Sequence, residues 1–420
     1  MSEQVRSQLS RSTRDWFSGT ALSPSADAYI HFLTDSGYAT STVNSYLRCV
    51  AHFAHWSASQ RLALKDIDEA AVASFLDGHL PQCRCALRCW RTRYGVRAAL
   101  THLLVLLRTE GLIAEKAPSL HPSITVELSD FDTYLDEVRG LQATTRQTRL
   151  RHVRAFLLHR FADGNVRLEG LVPLDIERFT MAYTARWKPS SVNCLCGSLR
   201  SYLLFKATLG IETSALMGAL PHVAHWRLAG LPRRLSSQEI EQFLDGFDRT
   251  TATGRRDYAV ARCYVDLGLR TVEVVRLQLD DVDWRAGTIQ IQGKGGRIDK
   301  LPLPAITGQA IVDYLRSGRR QTPDRAVFLR HRPPLDKPVT PAAMRAVIRN
   351  AAQRCGLADR LTSTHLLRHT FACRLVSSGA SLKAIADLMR HRNLDTTTIY
   401  AKVDFDALKT VAACWPGRPA

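Results

Sequence analysis

No run of about 18 apolar residues occurs in the chain, so nothing in it reads as a membrane-spanning helix. The first residues, Met1 to Arg14, lack the apolar core of a secretory signal, which predicts a cytoplasmic protein with no membrane partner. There is no G-x-x-x-x-G-K-[ST] phosphate loop and no cluster of carboxylates able to hold two metal ions. ATP-driven chemistry and two-metal nuclease chemistry are therefore not expected. Acidic residues are also short, 39 Asp plus Glu against 57 Lys plus Arg, which gives a net charge of +18. That excess favours a polyanionic partner, DNA or RNA before an anionic membrane.

Ten cysteines are present, and in a cytosolic chain they read as small buried hydrophobes or ligands and not as a disulfide framework. Three cluster at Cys83, Cys85 and Cys89 in P-Q-C-R-C-A-L-R-C-W. Their spacing matches no familiar zinc finger and no second C-x-x-C pair completes four ligands, so the expectation is three thiols on an ordinary helix, with no metal and no cofactor.

A chain of 420 residues exceeds what one hydrophobic core usually holds, and two or three domains are expected. The first half contains a weak internal repeat. Thr42, Leu47, Arg48, Val50 and Phe53 are spaced like Thr145, Leu150, Arg151, Val153 and Phe156, and Leu100, Leu103, Leu104 and Gly111 recur as Leu199, Tyr202, Leu203 and Gly210. Apolar steps of three and four predict helices in both copies. Each copy carries a basic, acid-free helix, with Arg84, Arg88 and Arg91 in one and Arg146, Arg149, Arg151 and Arg154 in the other. A single-signed helix face is ordinarily just solvated; twice over in so basic a chain, it predicts phosphate contact.

Gly230 and Pro232 break the pattern and mark a boundary. Ser236 with Glu239 then forms a capping box that opens a new helix. T-I-Q-I-Q, G-K-G-G and R-I-D-K-L-P-L-P predict two strands joined by a glycine-rich turn, and helical patterns resume at Pro341.

Four stretches of this last region concentrate basic and polar groups. In G-L-R-T-V-E, Glu273 lies one helical turn from Arg270, a spacing that by itself reads as a surface ion pair. Lys294 sits at the hairpin tip, where lysines are ordinarily solubilising. In H-L-L-R-H, His365 and Arg368 share a helix face beside a burying flank of Leu367 and Phe371. In M-R-H-R-N-L-D-T-T-T-I-Y, one helix ends at His391 and another is expected to start at Asp395 as N-cap, with Tyr400 one turn in. Alone, Tyr400 reads as a packed aromatic.

In this order, G-L-R-x-x-E, hairpin G-K-G, H-x-x-R-H and H with Tyr nine residues later resemble the tyrosine recombinase or phage integrase family over roughly residues 235–405. One departure is visible: the family commonly has L-G-H where this chain has Met389, Arg390 and His391. The resemblance implies a mainly α catalytic domain with a small antiparallel sheet at 232–420, preceded by all-α, SAM-like helical domains at 15–118 and 119–229. It implies catalytic roles for Arg270, Lys294, His365, Arg368, His391 and Tyr400, with Glu273 in support.

The implied activity is site-specific DNA strand exchange through a 3′-phosphotyrosine at Tyr400, in a tetramer on paired double-stranded sites, for integration or excision of a mobile element. Two arginine forks suit the phosphate charge that builds in the transition state, and imidazoles can donate or shuttle protons there. Lys294 is implied as the acid for the leaving 5′ oxygen. Which histidine does what stays open, as does the choice between DNA and a neighbouring protomer as the contact of residues 15–118. An apolar stripe in the tail, Phe405, Leu408, Val411, Ala412 and Trp415, covers its own domain or docks on a neighbour. The rival readings are a type IB-like topoisomerase and an inactive DNA-binding regulator of the same fold.

Overall fold

The computed structural model describes residues 11–85, 92–115, 120–162, 164–224, 232–293, 296–391 and 393–403. Contacts group the chain into two compact units, 1–113 with 230–420, and 114–229.

In the first unit, the N-terminal part is helical: α1 (Arg11–Phe17), α2 (Ala26–Asp35), α3 (Thr40–Ser59), α4 (Glu69–Ser74) and α5 (Arg93–Thr109). The repeat residues Leu47, Val50 and Phe53 of α3 are buried with Leu100, Leu103 and Leu104 of α5 in one apolar cluster. Each such side chain removed from water contributes about 1.5–3 kcal/mol, which is why an amphipathic stripe suffices to specify these helices. After α4 the chain tightens through a π-helical turn, Phe75–His79, and a 3-10 turn, Leu80–Gln82, before an irregular stretch that holds Cys83 and Cys85. The helix expected there is absent from the described part of the stretch, because Pro81 cannot continue the hydrogen-bond ladder. Cys89, Arg88 and Arg91 lie outside the described residues.

The second unit comprises α6 (Pro122–Thr133), α7 (Ala143–Arg160), α8 (Pro173–Thr184), α9 (Pro189–Thr208) and α10 (Ser214–Gly218). Proline at the first position of α6, α8 and α9 presets the helical φ where no hydrogen-bond donor is needed. Val153, Phe156, Leu199, Tyr202 and Leu203 form its core, at the positions the repeat assigned. Gly111 and Gly210, the paired glycines of the repeat, follow α5 and α9 with φ of 68° and 86°, a left-handed conformation that releases the chain from each helix.

The remainder of the first unit runs α11 (Ser237–Asp245), α12 (Ala252–Leu267), α13 (Thr271–Arg276), β1 (Val282–Asp283), β2 (Thr288–Gln292), β3 (Ile298–Pro302), α14 (Ala305–Ser317), α15 (Pro341–Arg354), α16 (Thr364–Ser377) and α17 (Leu382–Leu388). Ser236 Oγ accepts from Glu239 N at 3.1 Å while Glu239 Oε2 accepts from Ser236 N at 2.8 Å, the expected capping box. The sheet is antiparallel in the order β1, β2, β3, with Ile289 opposite Leu301 and both facing the core. The protein is mainly α with one small antiparallel sheet. The main core, with Phe243, Tyr264, Ile291, Ile311, Met344 and Leu367, is separate from a small cluster of Ala372, Cys373, Val376, Ile385, Met389 and Tyr400.

One local expectation fails. Asp395 caps no α-helix; Leu394–Thr396 and Thr398–Val403 are 3-10 turns, and Asn393 Oδ1 takes the Asp395 N–H at 2.9 Å. Three consecutive threonines, Thr396 to Thr398, are stiff at χ1 and favour this break over a regular α start.

Candidate active site

Gly268 ends α12 at φ 57°, and a Cβ there would lie 2.4 Å from Phe371 Cδ1, so only glycine permits this turn against α16. The turn delivers Arg270 as the residue that caps α13. Glu273 then ties it twice, with Oε2 accepting from Arg270 N and Oε1 from Arg270 Nη1, both at 2.7 Å. The ion pair foreseen at the surface is thus half inside, since the Glu273 side chain is 4% exposed and that of Arg270 37%.

Arg368, on α16, is buried. Its Nη1 donates to the Gly268 carbonyl and its Nη2 to that of Met389, so one planar fork straps the Arg270 turn to the segment that carries His391. Burial, helped by the nearby charges of Arg270 and Arg390, pushes its pKa down to about 9, which still leaves it cationic at neutral pH.

Arg390 occupies the position where the family commonly has glycine, and it adopts the left-handed φ of 53° that glycine would. His391 N bonds the Ala386 carbonyl at 2.9 Å and Arg390 N that of Asp387 at 2.9 Å, a Schellman cap on α17. The buried guanidinium of Arg390 donates from Nη2 to Glu273 Oε2 at 2.8 Å and from Nη1 to the Leu388 carbonyl at 2.7 Å. Burial alone would raise the Glu273 pKa, but Arg390 and Arg270 together hold it below the usual carboxylate value. Reading the sequence by motif missed Arg390; an arginine in place of a cap glycine was the signal.

The imidazoles surround these cations. His391 Nδ1 meets Thr397 Oγ1 at 2.7 Å, and burial with the charges of Arg368 and Arg270 pushes its pKa down to about 4. His365 projects from the first turn of α16 and is likewise lowered by burial, Arg368 and Arg270. Tyr400 is 2% exposed, and burial raises its pKa to about 12 against the opposing pull of Arg368. Its hydroxyl and His369 Nδ1 are 2.8 Å apart. With the His369 proton on Nε2, the hydroxyl donates to Nδ1. His369, the last residue of H-x-x-R-H, was not among the residues singled out from the sequence, though it stood in the motif.

The structure therefore brings Arg270, Glu273, His365, Arg368, His391 and Tyr400 into one linked group. Lys294 lies outside the described residues; the hairpin below it closes through Gly293 N to the Arg297 carbonyl at 2.7 Å. Of the arginines expected on DNA, Arg84 is exposed, and Arg151 and Arg154 are exposed on α7. Arg146 departs from the expectation, since Asp132 and Asp136 of the preceding segment hold its guanidinium. Arg149 is half-buried and donates to Ser201 Oγ at 2.5 Å. The acids that hold Arg146 come from outside its own helix, so the acid-free stretch did not reveal them.

Residues 233–407 match the phage integrase family. A putative integrase/recombinase, y4rA, of Sinorhizobium fredii is 37% identical over 394 residues, 93% of each chain. A tyrosine recombinase, XerC, of Halalkalibacterium halodurans is 30% identical over 242 residues, 55% of this chain and 77% of that one. The chain belongs to the phage integrase family of tyrosine recombinases. The recombinase cleaves and rejoins DNA in site-specific recombination, and DNA is its partner. Of the rival readings, neither the topoisomerase nor the silent regulator is favoured by these relatives.

Solved structures agree on the fold. XerH bound to palindromic difH in a post-cleavage complex has a TM-score of 0.55 at 16% identity, covering 89% of this chain and 96% of that one. The Tn1549 transposon integrase in complex with transposon right end DNA has 0.53 at 15%, covering 67% and 99%. No helix among the described residues is long and apolar enough to cross a membrane.

Proposed function

We propose that Tyr400 attacks a DNA phosphate to form a 3′-phosphotyrosine, with Arg270 and Arg368 clamping the charge that develops on the nonbridging oxygens. The observation that carries this is the Arg368 strap, which gathers the Arg270 turn and the His391 segment around one cation beside the Tyr400 ring. Preorganised cationic donors of this kind are worth about 10²–10³ in rate each. His391 and His365, both neutral at pH 7, donate to the same oxygens or move protons. His369 accepts the Tyr400 proton, which a hydroxyl with a pKa near 12 does not release unaided. Lys294 protonates the departing 5′ oxygen.

Residues 15–118 and 119–229 form helical domains ahead of a catalytic domain at 232–420, and 119–229 grips the core site. Arg151, Arg186 and Lys188 beside Trp187 line one cleft of that unit, a charge and ring pattern suited to a phosphate backbone. The protein acts in the cytoplasm as a tetramer on paired sites, integrating or excising a mobile element. The integrase/recombinase relative that spans nearly the whole chain supports that last assignment.

A nicked suicide duplex built from the DNA flanking the gene tests the reading. A covalent protein–DNA complex is expected from the native chain and none from Tyr400→Phe. Failure of the native chain to form any covalent species on that duplex sinks the proposal, as does persistence of the complex in Tyr400→Phe.

A further inference from the structure

Far from the recombination chemistry in sequence, four side chains of the N-terminal helical part converge. His52 of α3, His79 at the end of the π-helical turn, and Cys83 and Cys85 just beyond it bring their ligating atoms within 4.8 Å of one another. His52 Nε2 lies 3.1 Å from His79 Nε2 and 3.2 Å from Cys83 Sγ, and Cys85 Sγ lies 3.7 Å from His79 Nε2.

We propose that His52, His79, Cys83 and Cys85 bind one zinc ion as a structural, four-coordinate site. A tetrahedral ion with Zn–N of about 2.0–2.1 Å and Zn–S of about 2.3 Å places its ligand atoms roughly 3.3 Å apart for two nitrogens and roughly 3.6 Å for nitrogen and sulfur. The three measured separations fall around these values. A thiol–imidazole hydrogen-bond network needs pairs, not four atoms converging on one point, and two Nε2 atoms face to face leave at most one proton between them.

The donor set selects the metal. Two thiolates and two imidazoles in a tetrahedron suit zinc, and the two thiolate charges neutralise the dication, so the site carries no net charge into a half-buried position. Binding releases the two thiol protons to solvent. Four protein ligands leave no open position, so the ion has a structural role. His52 is 1% exposed and its ring packs edge-on against Phe75, with centroids 5.0 Å apart, which fixes one ligand before the metal arrives.

The sequence conceals this site because two of its four ligands are histidines that stand 27 residues apart. The ligands occur as His52, then His79, then Cys83 and Cys85, which departs from the C-x2–4-C … H-x3–5-H spacing typical of fingers, and α3 supplies one of them from a distant part of the chain. The ion would staple the end of the π-helical turn to α3, with Arg84 between its two cysteine ligands.

The test uses the full chain, purified without chelator, with zinc measured per protein. About one zinc per chain is expected. Replacement by Co²⁺ is expected to give the visible absorption bands of a tetrahedral thiolate site. Cys83→Ser and Cys85→Ser should each lose the bound metal and the bands, whereas Cys89→Ser, checked for native helicity by circular dichroism, should keep both. In the native chain a chelator should lower the melting temperature, a readout that needs no variant to fold. Absence of stoichiometric metal together with absence of Co²⁺ bands in the native chain overturns the proposal. So does retention of the bands in Cys83→Ser and Cys85→Ser, or their loss in a folded Cys89→Ser, since the ligand set would then be another one.

Discussion

His391 illustrates how a cation cluster sets the protonation of its neighbours. Its pKa, pushed down to about 4 by burial and then by Arg368, Arg270 and Arg390, lies below that of an imidazole in the unfolded chain. His365 and His369 are displaced in the same direction. Between about pH 6.5 and pH 4, the unfolded chain takes up protons that the folded one refuses, so stability falls as pH falls through this window. Urea unfolding at stepped pH should show that decline, and His391→Asn should flatten part of it. A native profile that is level or rises on acidification contradicts the assignment. At this scale the grouping of side chains was legible where a motif names its residues, as for Arg270, Arg368 and Tyr400, which the fold brings together. His369 and Arg390 escaped because what matters about them is a partner distant in sequence: Tyr400 for one, Glu273 for the other.

The end of α17 shows two costs set against each other. Arg390 holds a left-handed conformation that costs a side-chain-bearing residue about 1–2 kcal/mol relative to glycine. Against this stands the buried pair with Glu273, and removing one partner of such a pair costs about 3–5 kcal/mol. Arg270 continues to compensate Glu273, so Arg390→Gly should destabilise by roughly 1–3 kcal/mol, measured by denaturant midpoint, even though it restores the residue the family prefers. A stabilised Arg390→Gly would show that the ion pair contributes less than the backbone strain. The capping box at Ser236 and the β2–β3 hairpin were readable because each rests on residues close together in the chain, and the helical repeat because each copy's apolar steps of three and four are local. The 3-10 turn before Tyr400 and the one that contains it were not, because a run of threonines opposes a helix that the spacing alone would permit.

Across the whole molecule, the group proposed to act on DNA is divided between two apolar clusters. Arg270 follows Leu269 of the main core, and Arg368 straps that turn to the Met389 carbonyl of the small cluster, whereas Tyr400 rests within the small cluster itself, with Ala372, Cys373, Val376, Ile385 and Met389. A side chain 2% exposed cannot reach a phosphate outside the protein without moving. The small cluster has few buried apolar side chains to lose, so its opening requires far less free energy than unfolding the domain. Native-state hydrogen exchange should find the amides of α17 and of Thr398–Val403 exchanging by a local opening, well before those of α12 and α14. Equal protection across all four segments would refute this. With Tyr400 as the nucleophile proposed above, its place on the smaller cluster gives the hydroxyl its own threshold: it stays in reserve until a local opening, which also frees the Met389 carbonyl from the Arg368 strap, presents it to DNA.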